Sequence, residues 1–254
     1  MRGLCRVATL GVVWWALTIP VGAEQEFRVE SKVFVGAETE AKAENTTLFL
    51  QGWIYDFLEK PPEITILNKS RTKFFLIDPT RRVKAEVSAE MVAATSAELK
   101  RKAAAKTEAF TRFLADPRFD EQRDARNRRV FDSPWLTYRV AAKPAAGEEI
   151  VTQFYEFSDW FTKLNACLDP AYRQVFVRLA VNESLRNRKE LPHEIELTYH
   201  SPKGRQQKVT ARSTHVYTSR LDESDRDRVQ QADQFVDIFP TVSLAEYRKR
   251  QVGK

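Results

Sequence analysis

Alternating apolar and polar positions predict strands in the first third of the chain. The first such segment has apolar residues on one parity and charged residues between them, with Phe27, Val29, Val33 and Val35 on the apolar side. Residues 47–58 carry β-forming and aromatic side chains on both parities, so we expect both faces of this segment to be at least partly covered. Short segments joined by polar turns predict further strands at 64–67, 73–77 and 82–87. Four or five consecutive antiparallel strands follow from this pattern.

The middle of the chain has the spacing of helices. Ser88 can cap a helix that runs to about Leu114 and ends before Pro117. A strand is expected at 135–141, after the highly charged segment 120–129, which we predict to be a loop. Two further helices, at about 150–168 and 171–186, each present an apolar stripe, and the first stripe consists of Ile150, Phe154, Phe157, Phe161, Leu164 and Leu168.

The strand pattern returns near the end of the chain. Residues 193–200 alternate, and 208–220 form the returning strand after a turn at 201–204. With that turn centred near residue 203, Glu194 lies opposite Arg212, and the pair accounts for these charges without a catalytic role.

The last segment is helical again, with Ser224 and Asp227 as its capping pair and a final helical turn capped by Ser243. Together these elements predict an α+β fold: an antiparallel curved sheet, an open or half barrel, with three to four helices packed on it. We expect a single domain over 24–254, and the short linker 143–147 is the candidate boundary between two lobes.

The first 23 residues have the parts of a cleavable export signal. Arg2 and Arg6 provide a positive start, Ala8 to Pro20 is apolar, and Val21-Gly22-Ala23 offers the small residues that a signal peptidase requires. The apolar stretch is shorter than the roughly 20 residues that span a bilayer. We therefore expect cleavage after Ala23, a mature chain without a stable membrane span, and a periplasmic or secreted protein.

Charge is concentrated in one segment of the chain. The formal net charge is +6, and residues 81–143 contain 15 Lys or Arg against 9 Asp or Glu. Such a segment could favour anionic surfaces or acidic partners, or it could simply be a solvated face. The basic residues lack the interleaved aromatic residues of a nucleic-acid platform, so no nucleic-acid partner is expected.

Few residues are suited to catalysis. The chain has three histidines, His193, His200 and His215, and none stands in a metal-binding pattern. Cys167 is near the C-terminal end of a predicted helix, where the negative partial charge raises a thiol pKa, so we expect a structural thiol. The sequence therefore predicts no catalytic residue, no metal and no cofactor. An unrecognised enzyme that uses carboxylates or the three histidines remains an alternative.

Large aromatic side chains are concentrated on the predicted strands, in greater number than one sheet face needs. Either helices simply cover one face of the sheet, or a curved sheet leaves a cavity that holds an acyl chain or another apolar ligand. The candidate ligand-binding residues are Phe49, Trp53, Tyr55, Phe57, Phe75, Trp135 and Tyr138.

Two adjoining strands and the turn after them resemble the LolA/LolB-like proteins. The residues are Ile64-Thr65-Ile66-Leu67 and Lys73-Phe74-Phe75-Leu76-Ile77-Asp78-Pro79-Thr80-Arg81-Arg82-Val83-Lys84. The resemblance covers about 27–115, and the whole chain is also similar to uncharacterised exported bacterial proteins. It implies an unclosed antiparallel barrel capped by helices, and transport of a lipid or lipoprotein acyl group between membranes. The chain departs from the family in its opening strand and in its additional helices at 150–186, and no functional residue is carried over.

These observations predict an exported, non-enzymatic binding protein whose partner is a lipid or an envelope protein. A structural or assembly protein of the envelope is a further alternative, and the oligomeric state is left open.

Overall fold

The computed structural model describes residues 25–169, 174–200 and 210–249. The strands in chain order are β1 (Phe27–Val35), β2 (Ala43–Leu50), β3 (Trp53–Leu58), β4 (Glu63–Asn68), β5 (Lys73–Asp78), β6 (Val83–Ser88), β7 (Asp120–Arg123), β8 (Arg129–Asp132), β9 (Leu136–Pro144), β10 (Glu190–Tyr199) and β11 (Thr210–Thr218). The helices are α1 (Ala89–Ala104), α2 (Ala109–Ala115), α3 (Glu148–Leu168), α4 (Val175–Asn187), α5 (Glu223–Ile238) and α6 (Leu244–Lys249). The expected export signal at 1–23 and the expected turn at 201–204 lie outside the described residues.

One large antiparallel sheet organises the molecule. Its strand order is β6-β5-β4-β3-β2-β1-β11-β10-β9-β8-β7. Neighbouring strands follow each other in sequence except at the centre, where β1 pairs with β11 and joins the two ends of the chain. The sheet is open, because β6 and β7 form its two edges. An open antiparallel sheet with helices packed on it is what the sequence predicted.

The number of helices was wrong. The described residues form six helices rather than three to four. One reason is that the segment expected to be one helix from Ser88 to about Leu114 is divided after Ala104. The break turns α2 so that Phe113 packs on Trp135, with ring centroids 4.7 Å apart. A straight helix that kept the contacts of α1 could not also make this contact. The cap itself is confirmed, since the Met91 amide donates to Ser88 Oγ over 3.2 Å.

Two hairpins were missed. Gln51 and Gly52 both have positive φ, 29° and 83°, and they form a two-residue turn that divides 47–58 between β2 and β3. The segment 120–129 was expected to be a loop, but β7 and β8 pair antiparallel there. All four residues of β7 are exposed at the edge of the sheet. Charged side chains on an edge strand prevent pairing with other chains. Because this strand has no buried apolar residues, its sequence has the charged composition of a loop.

Register and capping near the C-terminus differ from expectation in detail. Glu196, and not Glu194, lies opposite Arg212, because the register is shifted by two residues. Arg212 still reaches Glu194 diagonally, at 3.7 Å. Helix α5 begins after Asp222, which forms a capping box with Asp225, instead of the expected pair at Ser224 and Asp227. Asp222 is favoured over Ser224 as the N-cap of α5 because an anion at a helix N-terminus is also stabilised by the helix dipole.

Helices cover both faces of the first half of the sheet. On one face Phe49 stacks on Phe27 with ring centroids 4.0 Å apart and meets the edge of Phe157 of α3 at 5.8 Å. On the other face α5 packs with Ala232 on a second apolar cluster, which contains Leu48, Tyr55, Phe57, Ile64, Ile66, Phe75 and Ile77. The expectation that both faces of 47–58 are covered is confirmed. Among the described residues, no helix combines the length and the apolar character needed to cross a membrane.

Candidate functional site: a cavity between the sheet and helices α3 and α4

A cavity of about 290 Å³ separates the centre of the sheet from α3 and α4. Its apolar wall follows from two periodicities. Alternate residues of the central strands point to the same face, and residues three and four apart on α3 point back at them. This wall includes Val29, Phe49, Phe154, Phe157, Ile195 and Leu197.

One wall of the cavity is polar and is centred on His215. Ser31 Oγ lies 2.9 Å from its Nδ1, and Ser213 Oγ lies 3.1 Å from its Nε2. Burial lowers the pKa of His215 to about 3, and the charges of Arg178 and His193 add to this effect. The imidazole is therefore neutral at physiological pH, donating through one ring nitrogen and accepting through the other.

A buried carboxyl group lies directly behind the lining on β3. Asn45 Nδ2 and Thr47 Oγ1, which line the cavity, both donate to Asp56 Oδ1 over 2.6 Å. Burial raises the pKa of Asp56 to about 6, although these two hydrogen bonds and the charge of Arg228 act in the opposite direction. Desolvation thus outweighs the stabilising contacts, and the carboxyl group titrates close to physiological pH.

The α4 side of the cavity carries a cation. Arg178 is half-buried and lines the cavity, and its Nε donates to Asn182 Oδ1 over 2.9 Å. Asn182 is fully buried and donates in turn to Ser158 and Asp159 of α3, over 3.0 and 2.8 Å. The network holds the guanidinium stem in place between the two helices.

The structure divides the seven candidate ligand-binding residues. Phe49 and Tyr138 line the cavity. Trp53, Tyr55 and Phe75 line a separate groove of about 630 Å³ beside α5, on the opposite face of the sheet. In the remaining two cases, Arg228 covers the ring of Phe57 at 4.3 Å, and Trp135 packs against the aromatic rings of α2. Phe49 and Tyr55 have the same parity in the sequence, but the turn at Gln51 and Gly52 pairs Phe49 with Ile54, so the two rings lie on opposite faces of the sheet. The sequence alone does not say which face packs against α3.

The polar residues of the cavity were not anticipated as a site, although some signals were present. Arg178 lies three residues after the apolar Val175 and four before Asn182, the spacing of one face of a helix. A charged residue at helical spacing from two buried residues indicates an interior position. His215 and Ser213 share a parity on β11, which the alternation could have placed on one face.

The other candidates for chemistry lie apart from the cavity. His200 Nε2 is 2.8 Å from Thr137 Oγ1, which also bonds to Asp132. The His193 ring meets Tyr217 edge-on at 5.5 Å. Cys167 is buried, and burial raises the pKa of its thiol. In the described part of the chain, no three His, Cys, Asp or Glu residues are arranged to hold a metal ion.

Comparison with known proteins gives a similarity at the level of the fold. No protein-family model and no curated protein sequence matches the chain. A solved structure with a related layout is that of a LolA superfamily protein from Nitrosomonas europaea, which is 7% identical, with 79% of this chain and 89% of that chain covered and a TM-score of 0.31. The similarity is a weak resemblance of fold.

Proposed function

We propose that this protein binds a single apolar or amphipathic ligand in the cavity between the sheet and helices α3 and α4. The observation that carries the proposal is the cavity itself, which has a volume of about 290 Å³ and a lining surface that is mostly apolar. Small-molecule sites are concave and mostly apolar, with a few polar groups that fix the orientation of the ligand. A cleft at the centre of the sheet with a mostly apolar surface and with Arg178 and His215 in its lining has these properties and favours a ligand.

The volume limits the ligand. It corresponds to about ten water molecules at their share of the liquid volume, and it is at the lower end of the range for small-molecule sites, roughly 300 Å³. One acyl chain or a compact apolar molecule fits this space better than a lipid with several chains. With the expected export signal, the ligand would be a lipid of the cell envelope or an acyl group of an envelope protein.

The enzyme alternative has a specific difficulty at this site. Ser31 and His215 are within hydrogen-bonding distance, at 2.9 Å, as a nucleophile and its base would be. However, the pKa of about 3 makes His215 a weak base at neutral pH. Both ring nitrogens also face serine hydroxyls, so neither bonds to a carboxylate that would orient the ring.

Filling the cavity tests the proposal. Ala211 lines the cavity on β11, and Ala211→Trp places a large ring in the space, whereas Val216→Trp places the same ring on the exposed face of the same strand. We expect wild type and Val216→Trp to bind the fluorescent probe N-phenyl-naphthylamine and to release lipid on organic extraction, as read by mass spectrometry. Ala211→Trp should do neither while keeping its circular dichroism spectrum. Equal probe binding by all three proteins would contradict the proposal.

A further inference from the structure

We infer that the ligand of this cavity is an amphiphile with an anionic head, a carboxylate or a phosphate monoester on a single chain, and that Arg178 binds that head. This inference rests on the proposed function and adds the chemical class of the ligand. It is argued from the charges of the cavity lining.

The lining is unbalanced in charge. None of the described residues that line the cavity is an aspartate or glutamate, whereas two are arginines, Arg178 and Arg212. The Arg212 guanidinium is compensated elsewhere, since it lies over the Phe34 ring at 4.2 Å and reaches Glu194 at 3.7 Å. Arg178 has one side-chain hydrogen bond within the described residues, from Nε to the neutral amide of Asn182, and it forms no ion pair there.

The terminal nitrogens of Arg178 are therefore available to a ligand. A guanidinium presents donors in a planar fork that matches a carboxylate or a phosphate, and such charge-assisted bonds are stronger than neutral ones. A half-buried cation has lost part of its hydration, and the attraction of a bound anion offsets part of that cost. The Nε bond to Asn182 fixes the stem, and within the described residues the two terminal nitrogens of this cavity-lining side chain donate no side-chain hydrogen bond.

The neighbouring groups favour an anion as well. Gln174, which also lines the cavity, immediately precedes α4, so the positive end of this 13-residue helix lies beside Arg178. His215 is neutral and supplies no second charge. The carboxylate of Asp159 is joined to Arg178 only through Asn182, and it pairs with Arg186. The buried carboxyl group of Asp56 bonds to Asn45 and Thr47, and the cation acting on it is Arg228 of α5.

The apolar wall then accommodates the chain. The rings of Phe49, Phe157 and Phe161 belong to the same cavity as Arg178, so a ligand with its head at α4 can lay its tail against them. A cavity with one arginine that has no ion pair within the described residues and a largely apolar wall selects an amphiphile over a free anion and over a hydrocarbon without a polar group.

The test compares ligands that share one tail and differ in the head. Dodecanoate, dodecyl phosphate, dodecanol and dodecyltrimethylammonium would be titrated at neutral pH against the full chain by displacement of N-phenyl-naphthylamine, with acetate and inorganic phosphate as heads without tails. We expect one or both of the anionic amphiphiles to bind at least about tenfold more tightly than dodecanol, the effect of a charge-assisted contact, and the cationic one to bind most weakly. Which anion binds more tightly identifies the head.

Variants assign the preference to one residue. Arg178→Gln should remove the preference for the anionic heads and leave the affinity for dodecanol unchanged. Arg178→Lys keeps the charge without the fork and should retain part of it. Arg188→Gln, at the residue immediately after α4 and outside the lining, should behave as wild type.

The outcomes separate the two proposals. If all four amphiphiles bind wild type equally, the cavity binds apolar ligands and the inference about the anionic head is wrong. If none binds, the proposed function fails as well. Competition by acetate or inorganic phosphate as strong as that by the amphiphiles would assign Arg178 to a free anion and overturn the inference. A preference that persists in Arg178→Gln would place the head elsewhere and overturn it too.

Discussion

Replacing Asp56 by asparagine is expected to stabilise the protein at neutral pH and to change how its stability depends on pH. Asp56 is 4% exposed, and burial raises its pKa from 3.8 to about 6. Its Oδ1 accepts both hydrogen bonds of the group, from Asn45 and Thr47. An asparagine with its oxygen in that place keeps both bonds and carries no charge, so the substitution removes the desolvated anion with little change in shape.

The magnitude and sign follow from proton linkage. Between about pH 4 and about pH 6 the folded protein holds a proton on Asp56 that the unfolded chain has released, so the contribution of this group to stability falls as pH rises through that window. A difference of about 2 units, at about 1.4 kcal/mol each, makes the ionised group unfavourable by about 3 kcal/mol above pH 6. The gain in Asp56→Asn is at most this amount, and it is smaller if the new Nδ2 finds no acceptor.

The assay is urea unfolding followed by tryptophan fluorescence, for wild type and Asp56→Asn at a series of pH values from about 4 to about 8. The difference between the two proteins isolates Asp56 from the other titrating groups. Asp227→Asn, at an exposed position of α5, is the matched control for the loss of one carboxylate. We expect the advantage of Asp56→Asn to grow with pH up to about pH 6 and then to level off. A difference that is constant over the whole series would refute the reasoning.

Three further predictions concern local structure. Gly52→Ala forces a side chain onto a residue with φ of 83°, so it should lower the free energy of unfolding by about 1 kcal/mol. Gly147→Ala, at φ of −158°, should have little effect. Urea unfolding measures both changes. Ser88→Ala removes the side-chain cap of α1 and should cost about 1 kcal/mol in the same assay, with an unchanged helical spectrum if only the cap is lost. Cys167 is buried with a raised thiol pKa, so iodoacetamide should label it only in urea, and rapid labelling of the native protein, read by mass spectrometry, would contradict its position.

The sequence by itself determined the local elements whose signals lie within a few residues. The α3 stripe from Ile150 to Leu168, the Ser88 cap and the strands 64–67 and 73–77 all depend on spacing and capping chemistry, and the structure contains each of them. The open antiparallel sheet followed from the number and the short connections of these strands. The exposed edge strand β7 was missed because its side chains are polar or charged and face the solvent, so its sequence has no alternation of apolar and polar residues.

Only the tertiary structure decided which side of each element faces which partner. The pairing of β1 with β11 brings Ser31 and His215, which are 184 positions apart in the sequence, into one polar wall, and no local pattern specifies that contact. The same pairing places Phe49 at the cavity, whereas Tyr55 and Phe75, which are equally aromatic, lie beneath α5. We infer that Arg178 binds an anionic head because the described lining contains no acidic residue. That lining consists of residues from seven different elements, so its charge cannot be deduced from any one of them. Burial and charge balance are sums over the whole fold, so the site could be placed only once the chain was folded.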